Sequence, residues 1–236
     1  MNARAYAGLF LLGMTVVGTA AVFQAVPGYM DADYYYVTGQ QLAQGRGFWE
    51  PFLWNYLDDP AGLPHSGNTY WMPLATILVA TGMWLSGNAS FSGARLGFLL
   101  AAALLPPMAA ALSARLSGKR GLALLTGCLA AFPGFYLVYL PTTDTFGLYA
   151  VLGGFWLLAA WSSQTSGRAA GFWQPGVLGL LSGFMHLARA DGGLWLGLGF
   201  LWWALVRPRQ AAGFENRFPL VGRRDWAFLG VLLSGY

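Results

Sequence analysis

Two aspartates two positions apart, Asp31 and Asp33, follow Pro27-Gly28-Tyr29-Met30 and precede Tyr34-Tyr35-Tyr36. A carboxylate beside apolar surface has its proton affinity raised, and such a group takes a proton from an attacking hydroxyl. The same Asp-x-Asp spacing resembles a metal-ligating pair, and oxygen donors of this kind suit a divalent cation, Mg or Mn. The plainer role for either residue is the N-cap of a helix. Asp144 stands in the short loop Pro141-Thr142-Thr143-Asp144-Thr145. There it either caps the next helix or joins a shared substrate or cation site. Arg189 and Asp191 lie in Leu187-Ala188-Arg189-Ala190-Asp191-Gly192. The guanidinium either pairs with Asp191 or Asp144, or grips a phosphate with its planar fork. His65, in Leu63-Pro64-His65-Ser66-Gly67, is a turn histidine, a phosphate contact or an aid to proton transfer. Asp58-Asp59-Pro60 reads as turn chemistry. The sequence holds no nucleotide-binding fingerprint, no Cys/His cluster and no Ser-His-Asp order.

What must position these groups is strongly apolar. Of 236 residues, 56% are hydrophobic and 9% charged, where a soluble domain carries about 25% charge. A soluble enzyme is excluded first. Aromatics at 16% exclude disorder. The single cysteine, Cys128, excludes a disulfide scaffold and reads as packing in an apolar run. A net charge of +4 would suggest nucleic acid only if the basic residues formed one patch. They are spread between hydrophobic segments, so no nucleic-acid partner is expected. The class is all-α: a polytopic transmembrane helical bundle with membrane lipid around it.

A crossing helix needs about 20 apolar residues. Candidate spans cover residues 5–26, 95–112, 121–140, 146–161, 176–188 and 192–206. A last one starts at 226 and stops at 236, so the chain is expected to be truncated there. A signal sequence cleaved near Gly18-Thr19-Ala20-Ala21 is the competing reading of the first span.

Residues 71–85 decide the orientation. If they cross, the positive-inside rule fails at every basic loop. If they lie in the interface instead, ten of the thirteen basic residues face the cytoplasm: Arg4, Arg115, Lys119, Arg120, Arg168, Arg207, Arg209, Arg217, Arg223 and Arg224. Pro73, Trp71 and Trp84 fit that non-crossing role. Residues 27–91 then form an extracytoplasmic loop. All six candidate site residues fall on the outer face of a multi-pass plasma (inner) membrane protein. Inside the loop, the stretch up to Gln44 reads as a surface helix stopped by Gly45, its tyrosine triplet anchored in the interface. Trp202 and Trp203 read as packing, and the glycines of 192–199 suit close helix approach.

In this order the features resemble the GT-C class of membrane glycosyltransferases, which includes protein O-mannosyltransferases, aminoarabinose transferases and oligosaccharyltransferase catalytic subunits. Four stretches carry the resemblance. The first is the acidic outer loop, Asp31-Ala32-Asp33-Tyr34-Tyr35-Tyr36 and then Leu42-Ala43-Gln44-Gly45-Arg46-Gly47-Phe48. The second is Tyr70-Trp71-Met72-Pro73-Leu74, followed by Arg95-Leu96 at the next span. The third is the short-loop acid Asp144, and the fourth is Leu187-Ala188-Arg189-Ala190-Asp191-Gly192.

The resemblance covers nearly the whole chain and makes residues 1–236 the N-terminal transmembrane catalytic module of such an enzyme. It implies a helical bundle with juxtamembrane helices in the first outer loop. The implied reaction moves a sugar from a lipid-linked donor, a polyprenyl-phosphate sugar, to a glycan, lipid or protein acceptor, with inversion. Asp31 or Asp33 would be the base, and Asp31 stands closer to the family spacing. Asp144, Arg189, Asp191 and His65 would bind substrate. Two other classes compete: a transporter or flippase using the same charges as a path, and a non-catalytic scaffold of envelope assembly.

Overall fold

The computed structural model describes residues 1–53, 61–165 and 173–211, together with Gly230 and Leu233. The chain is mostly helical. It divides into two compact units, Met1–Val151 and Leu152–Tyr236.

Helix α1 (Ala3–Val22) is apolar along its length and is N-capped by Asn2, whose side chain accepts from the Ala5 N–H at 3.1 Å. Helix α5 (Leu96–Ser117) carries Pro106 and Pro107 inside it. Among the described residues these two are long and apolar enough to cross a bilayer. They pack together in opposite directions. Gly13 faces Ala103 and Pro106, and at the far end of α1 Arg95 donates to the carbonyls of Ala21 and Gln24 at 2.8 and 2.9 Å. Arg95 is the residue just before α5, so its guanidinium ties the start of α5 to the end of α1 and the chain leaving it. Arg4 therefore shares one end of the pair with Arg115, Lys119 and Arg120, and the segment 23–95 lies at the other.

The expected span at 121–140 is corrected. Helix α6 (Arg120–Ala130) is 11 residues, about 16 Å at 1.5 Å per residue. It stops because Pro133 cannot continue the backbone ladder and Gly134 turns with a φ of 60°. A 3₁₀ turn, Gly134–Val138, follows. α6 runs antiparallel to α5, tied by Thr126 Oγ1 donating to Ser113 Oγ at 3.0 Å. The broken segment still returns the chain to the far end of α1, where Gln24 Nε2 donates to the Val138 carbonyl at 2.6 Å. Cys128, expected in packing, is exposed on α6.

The loop after α1 is an ordered layer. Helix α2 (Met30–Ala43) ends at Gln44 with Gly45 in the left-handed region, φ 75°, as its glycine stop requires. Two strands of two residues, β1 (Trp49–Glu50) and β2 (His65–Ser66), pair antiparallel with Glu50 opposite His65. The sequence reading did not anticipate them. Helix α3 (Leu74–Ser86) starts after Pro73 rather than at Trp71. Its 13 residues span about 20 Å, short of a hydrocarbon layer of about 30 Å. A four-residue helix, α4 (Phe91–Ala94), leads into α5.

The core of this layer is Tyr34, Tyr35, Val79, Met83 and Phe98, with Ala75 and Ala94. The tyrosine triplet is thus corrected too. Tyr34 and Tyr35 are 1% and 3% exposed, packed under α2 rather than standing in a membrane interface.

Helix α7 (Thr145–Thr165) begins in the first unit. In the second, Trp156 is buried and its indole N–H donates to Ser182 Oγ at 3.1 Å on helix α8 (Trp173–Ala188). Helix α9 (Gly193–Ala211) adds Trp195, Leu196, Phe200 and Trp202 to that core. Trp202 packs as expected. The side chain of Trp203, Asp58-Asp59-Pro60, Arg168 and the segment expected to cross after 226 lie outside the described residues, Gly230 and Leu233 apart.

Candidate active site

Gly28 turns the chain after α1 with a φ of 92°, and Tyr29 is extended and occupies the N-cap of α2 without a side-chain cap bond. The Asp33 N–H donates to the Tyr29 carbonyl at 2.9 Å, closing the first turn. Neither Asp31 nor Asp33 is the N-cap, the plainer role the sequence allowed them. Both lie inside the first turn, where a carboxylate is favoured by the helix dipole. Asp33 is exposed and Asp31 half-buried.

The loop 141–145 is brought to this turn from more than a hundred residues away. Thr142 Oγ1 donates to the Pro27 carbonyl at 3.0 Å, and Thr143 Oγ1 donates to the Ala32 carbonyl at 2.7 Å. Both threonines are buried. Asp144 is 4% exposed. One carboxylate oxygen, Oδ1, accepts from the Thr145 backbone N–H and, at 3.1 Å, from Thr145 Oγ1, so it is held at the first residue of α7 rather than making the N2 or N3 bond of a regular cap. The other, Oδ2, accepts from the Tyr29 hydroxyl at 2.5 Å. The Tyr29 ring stands edge-on to Tyr139, centroids 5.5 Å apart. Burial pushes the Tyr29 hydroxyl well above the usual tyrosine range, and the charges of Asp144 and Asp31 add to the rise. The hydroxyl is thereby held in its protonated, donating form toward Asp144.

Comparison with protein families, curated proteins and solved structures finds no match.

The remaining candidates have partners of their own. His65 belongs to a second buried network. Its Nε2 lies 3.5 Å from Glu50 Oε2 and 3.2 Å from the Phe52 carbonyl. Glu50 is 3% exposed and accepts from the Tyr34 hydroxyl through Oε1. The Asn68 N–H donates to that hydroxyl at 2.7 Å. Asn68 Nδ2 reaches Thr76 Oγ1 at 3.0 Å, and Thr76 meets Thr38 at 3.0 Å. This network ties α2, the two strands and α3 together beneath the acidic turn. Burial, with the hydrogen bond to Glu50, also pushes Tyr34 well above the usual tyrosine range.

In the second unit Arg189 Nε donates to Asp191 Oδ1 at 3.1 Å, both side chains nearly half exposed. This is one of the pairings the sequence allowed. Gly192 makes their turn: a Cβ there would lie 2.2 to 2.4 Å from the backbone of Met185 and His186.

Among the described residues no three His, Cys, Asp or Glu converge, and both oxygens of Asp144 face N–H or O–H donors.

Sequence reasoning passes over Tyr29 and Glu50. Glu50 carried a usable signal: a lone acid between Trp49 and Pro51-Phe52 must be paired if that aromatic stretch is buried. Nothing local marks the partner of Tyr29.

The two tyrosines make a pH prediction. Each is neutral in the folded state at pH values where the unfolded chain ionises, near 10. Their contribution to stability is complete below pH 10 and is lost as pH rises beyond it. The unfolding midpoint of the detergent-solubilised protein is expected to fall above pH 10, and to fall less steeply in Tyr34→Phe. Equal slopes in the two proteins would contradict this.

Proposed function

We propose that the chain is a membrane glycosyltransferase that moves a sugar from a polyprenyl-phosphate donor to an acceptor at the extracytoplasmic face, with Asp31 as general base. The observation that carries the reading is the delivery of Asp144 to the first turn of α2. Two acidic segments far apart in sequence, 27–33 and 141–145, are bonded together at one end of the α1–α5 pair, while Arg4, Arg115, Lys119 and Arg120 gather at the other. Asp33 is exposed and turned to solvent, whereas Asp31 is half-buried and acts electrostatically on Tyr29, which favours Asp31.

In the reaction, the Asp31 carboxylate takes the proton of the acceptor hydroxyl as that oxygen bonds to the anomeric carbon. The bond from that carbon to the phosphate oxygen breaks, and its electron pair leaves with the lipid phosphate. Attack opposite the leaving group inverts the configuration. A membrane-embedded enzyme suits this donor because its lipid tail is insoluble in water.

The proposal includes a multi-pass topology with residues 27–91 outside, α3 lying along the surface. Ser66 and Ser90 are exposed and flank α3. Single Ser66→Cys and Ser90→Cys variants, in a Cys128→Ser background, are both expected to react with an impermeant maleimide added outside. Reaction at 66 with protection at 90 until permeabilisation would mean that α3 crosses.

The activity test uses the full chain in proteoliposomes with undecaprenyl-phosphate mannose, glucose and aminoarabinose, each radiolabelled in the sugar, and native membranes as the source of acceptor. Transfer of label with release of undecaprenyl phosphate is expected for one of them. Movement of intact donor across the bilayer would support a flippase, and neither event a scaffold.

A further inference from the structure

We propose that Tyr29 is a positioning residue of this site, holding the Asp144 carboxylate and through it the turn that carries Asp31. The proposal rests on the transferase reading and names a residue that reading does not require.

Three side-chain bonds join the loop 141–145 to the segment 27–32. Two of them, from Thr142 to the Pro27 carbonyl and from Thr143 to the Ala32 carbonyl, grip backbone on either side of Tyr29 and Asp31. The third, from the Tyr29 hydroxyl to Asp144 Oδ2, is the only one of the three that reaches a charge. Asp144 is nearly fully buried, and its other oxygen is taken by the first turn of α7. A buried carboxylate stripped of one donor is costly, so the Tyr29 hydroxyl is what allows Asp144 to remain in place. Both oxygens of Asp144 are then held by donors. Its role is to fix α2 against α7, two helices that start at the same point and present their N-termini to it.

The geometry of Asp31 follows directly. Tyr29 is the N-cap and Asp31 is two residues later in the same turn, so a shift of the Tyr29 ring moves the carboxylate of the base. The Tyr139 edge contact limits that shift on one side. The other ionisable groups near this end are Asp33 on the exposed side of α2, Arg95, committed to the carbonyls of Ala21 and Gln24, and Glu50, committed to Tyr34. None of these three is shown to bond Asp144, and each has its own setting.

The test is a double-mutant cycle in steady-state transfer, using the full chain in proteoliposomes with the donor from the panel above that turns over. Tyr29→Phe is expected to lower kcat about 10- to 100-fold, as misplacement of a reacting group does, with donor KM unchanged. Asp144→Asn keeps an oxygen for Thr145 and removes the charge. Added to Tyr29→Phe, it is expected to cost little more, because both changes break one interaction. A wild-type kcat in folded Tyr29→Phe overturns the proposal. So does a double variant whose loss is the product of the two single losses. If Tyr29→Phe does not accumulate as folded protein, Asp144→Asn alone carries the test: lowered kcat with unchanged KM supports the proposal, and wild-type kcat overturns it. Asp31→Asn, run in parallel, separates the two levels. If it retains full turnover, the transferase reading with this base fails. If it is inactive while Tyr29→Phe is wild-type, the reading stands and only the positioning role falls.

Discussion

Asp31→Asn is expected to insert, fold and bind donor, yet to lose turnover by about 10²- to 10⁴-fold, the usual cost of a missing general base. The substitution keeps size and hydrogen-bonding capacity and removes the basicity together with the negative charge. Asp33→Asn is expected to retain most activity. The expected asymmetry rests on burial: Asp33 is exposed on the first turn of α2, while Asp31 is half-buried. Both residues gain from the helix dipole, so both variants should lose a few tenths of a kcal/mol to about 1 kcal/mol of stability. That common loss is read separately, from the unfolding midpoint. Turnover that survives Asp31→Asn and collapses in Asp33→Asn would exchange their roles.

Gly39→Ala should destabilise the first unit by about 1–3 kcal/mol, the range for overpacking a close contact. Gly39 lies where α2 crosses α3. A Cβ there would stand 2.2 Å from Val79 Cγ1, 2.5 Å from Val79 Cβ and 3.1 Å from the Thr76 carbonyl. Rotating Val79 relieves the first contact only, because the position of its Cβ is set by backbone. The helices must separate, and the Thr38–Thr76 hydroxyl bond of 3.0 Å beside them must stretch. Because α2 carries Asp31, turnover should fall along with stability. Val79→Ala should fail to rescue the variant, since it keeps the offending Cβ, whereas Val79→Gly should restore part of the midpoint. Thermal unfolding of the four proteins in detergent checks this, and a Gly39→Ala midpoint equal to wild type would refute the close crossing.

Much of the first unit could be read along the chain, because the deciding signals are local. The end of α2 was marked by Gly45, and a positive φ there is a requirement that few other residues meet. The shortness of α3 followed from its brief apolar run and from Pro73. The place of Asp144 at the start of α7 followed from its position immediately before an apolar run. Each of these depends on a few neighbouring residues.

What the sequence misplaced depends on partners that local pattern does not name. Hydropathy joined 121–140 into one span because its residues are apolar throughout, and the break at Pro133-Gly134 was outweighed by that average. The tyrosine triplet was assigned to a membrane interface from amphipathic character alone. The small residues Thr38 and Gly39, one helical turn on from Tyr34 and Tyr35, were the better clue that this face of α2 is covered closely. The cap of α2 was placed on an aspartate because aspartate is the better cap, but the turn at Gly28 starts the helix earlier and leaves both acids inside it. The bond from Tyr29 to Asp144 was not legible, since the two are 115 residues apart and a tyrosine in a Tyr-rich segment gives no local sign of an anionic partner. The Arg189–Asp191 pair was legible for the opposite reason: two positions and a tight glycine turn suffice to make it.

The most direct measurement of the central claim is the anomeric configuration of the product, read by NMR after transfer from a ¹³C-labelled polyprenyl-phosphate sugar by the full chain. A single displacement in which Asp31 activates the acceptor predicts a product of configuration opposite to the donor's. A product of retained configuration would require a covalent sugar–enzyme intermediate or a second displacement, and would contradict the account.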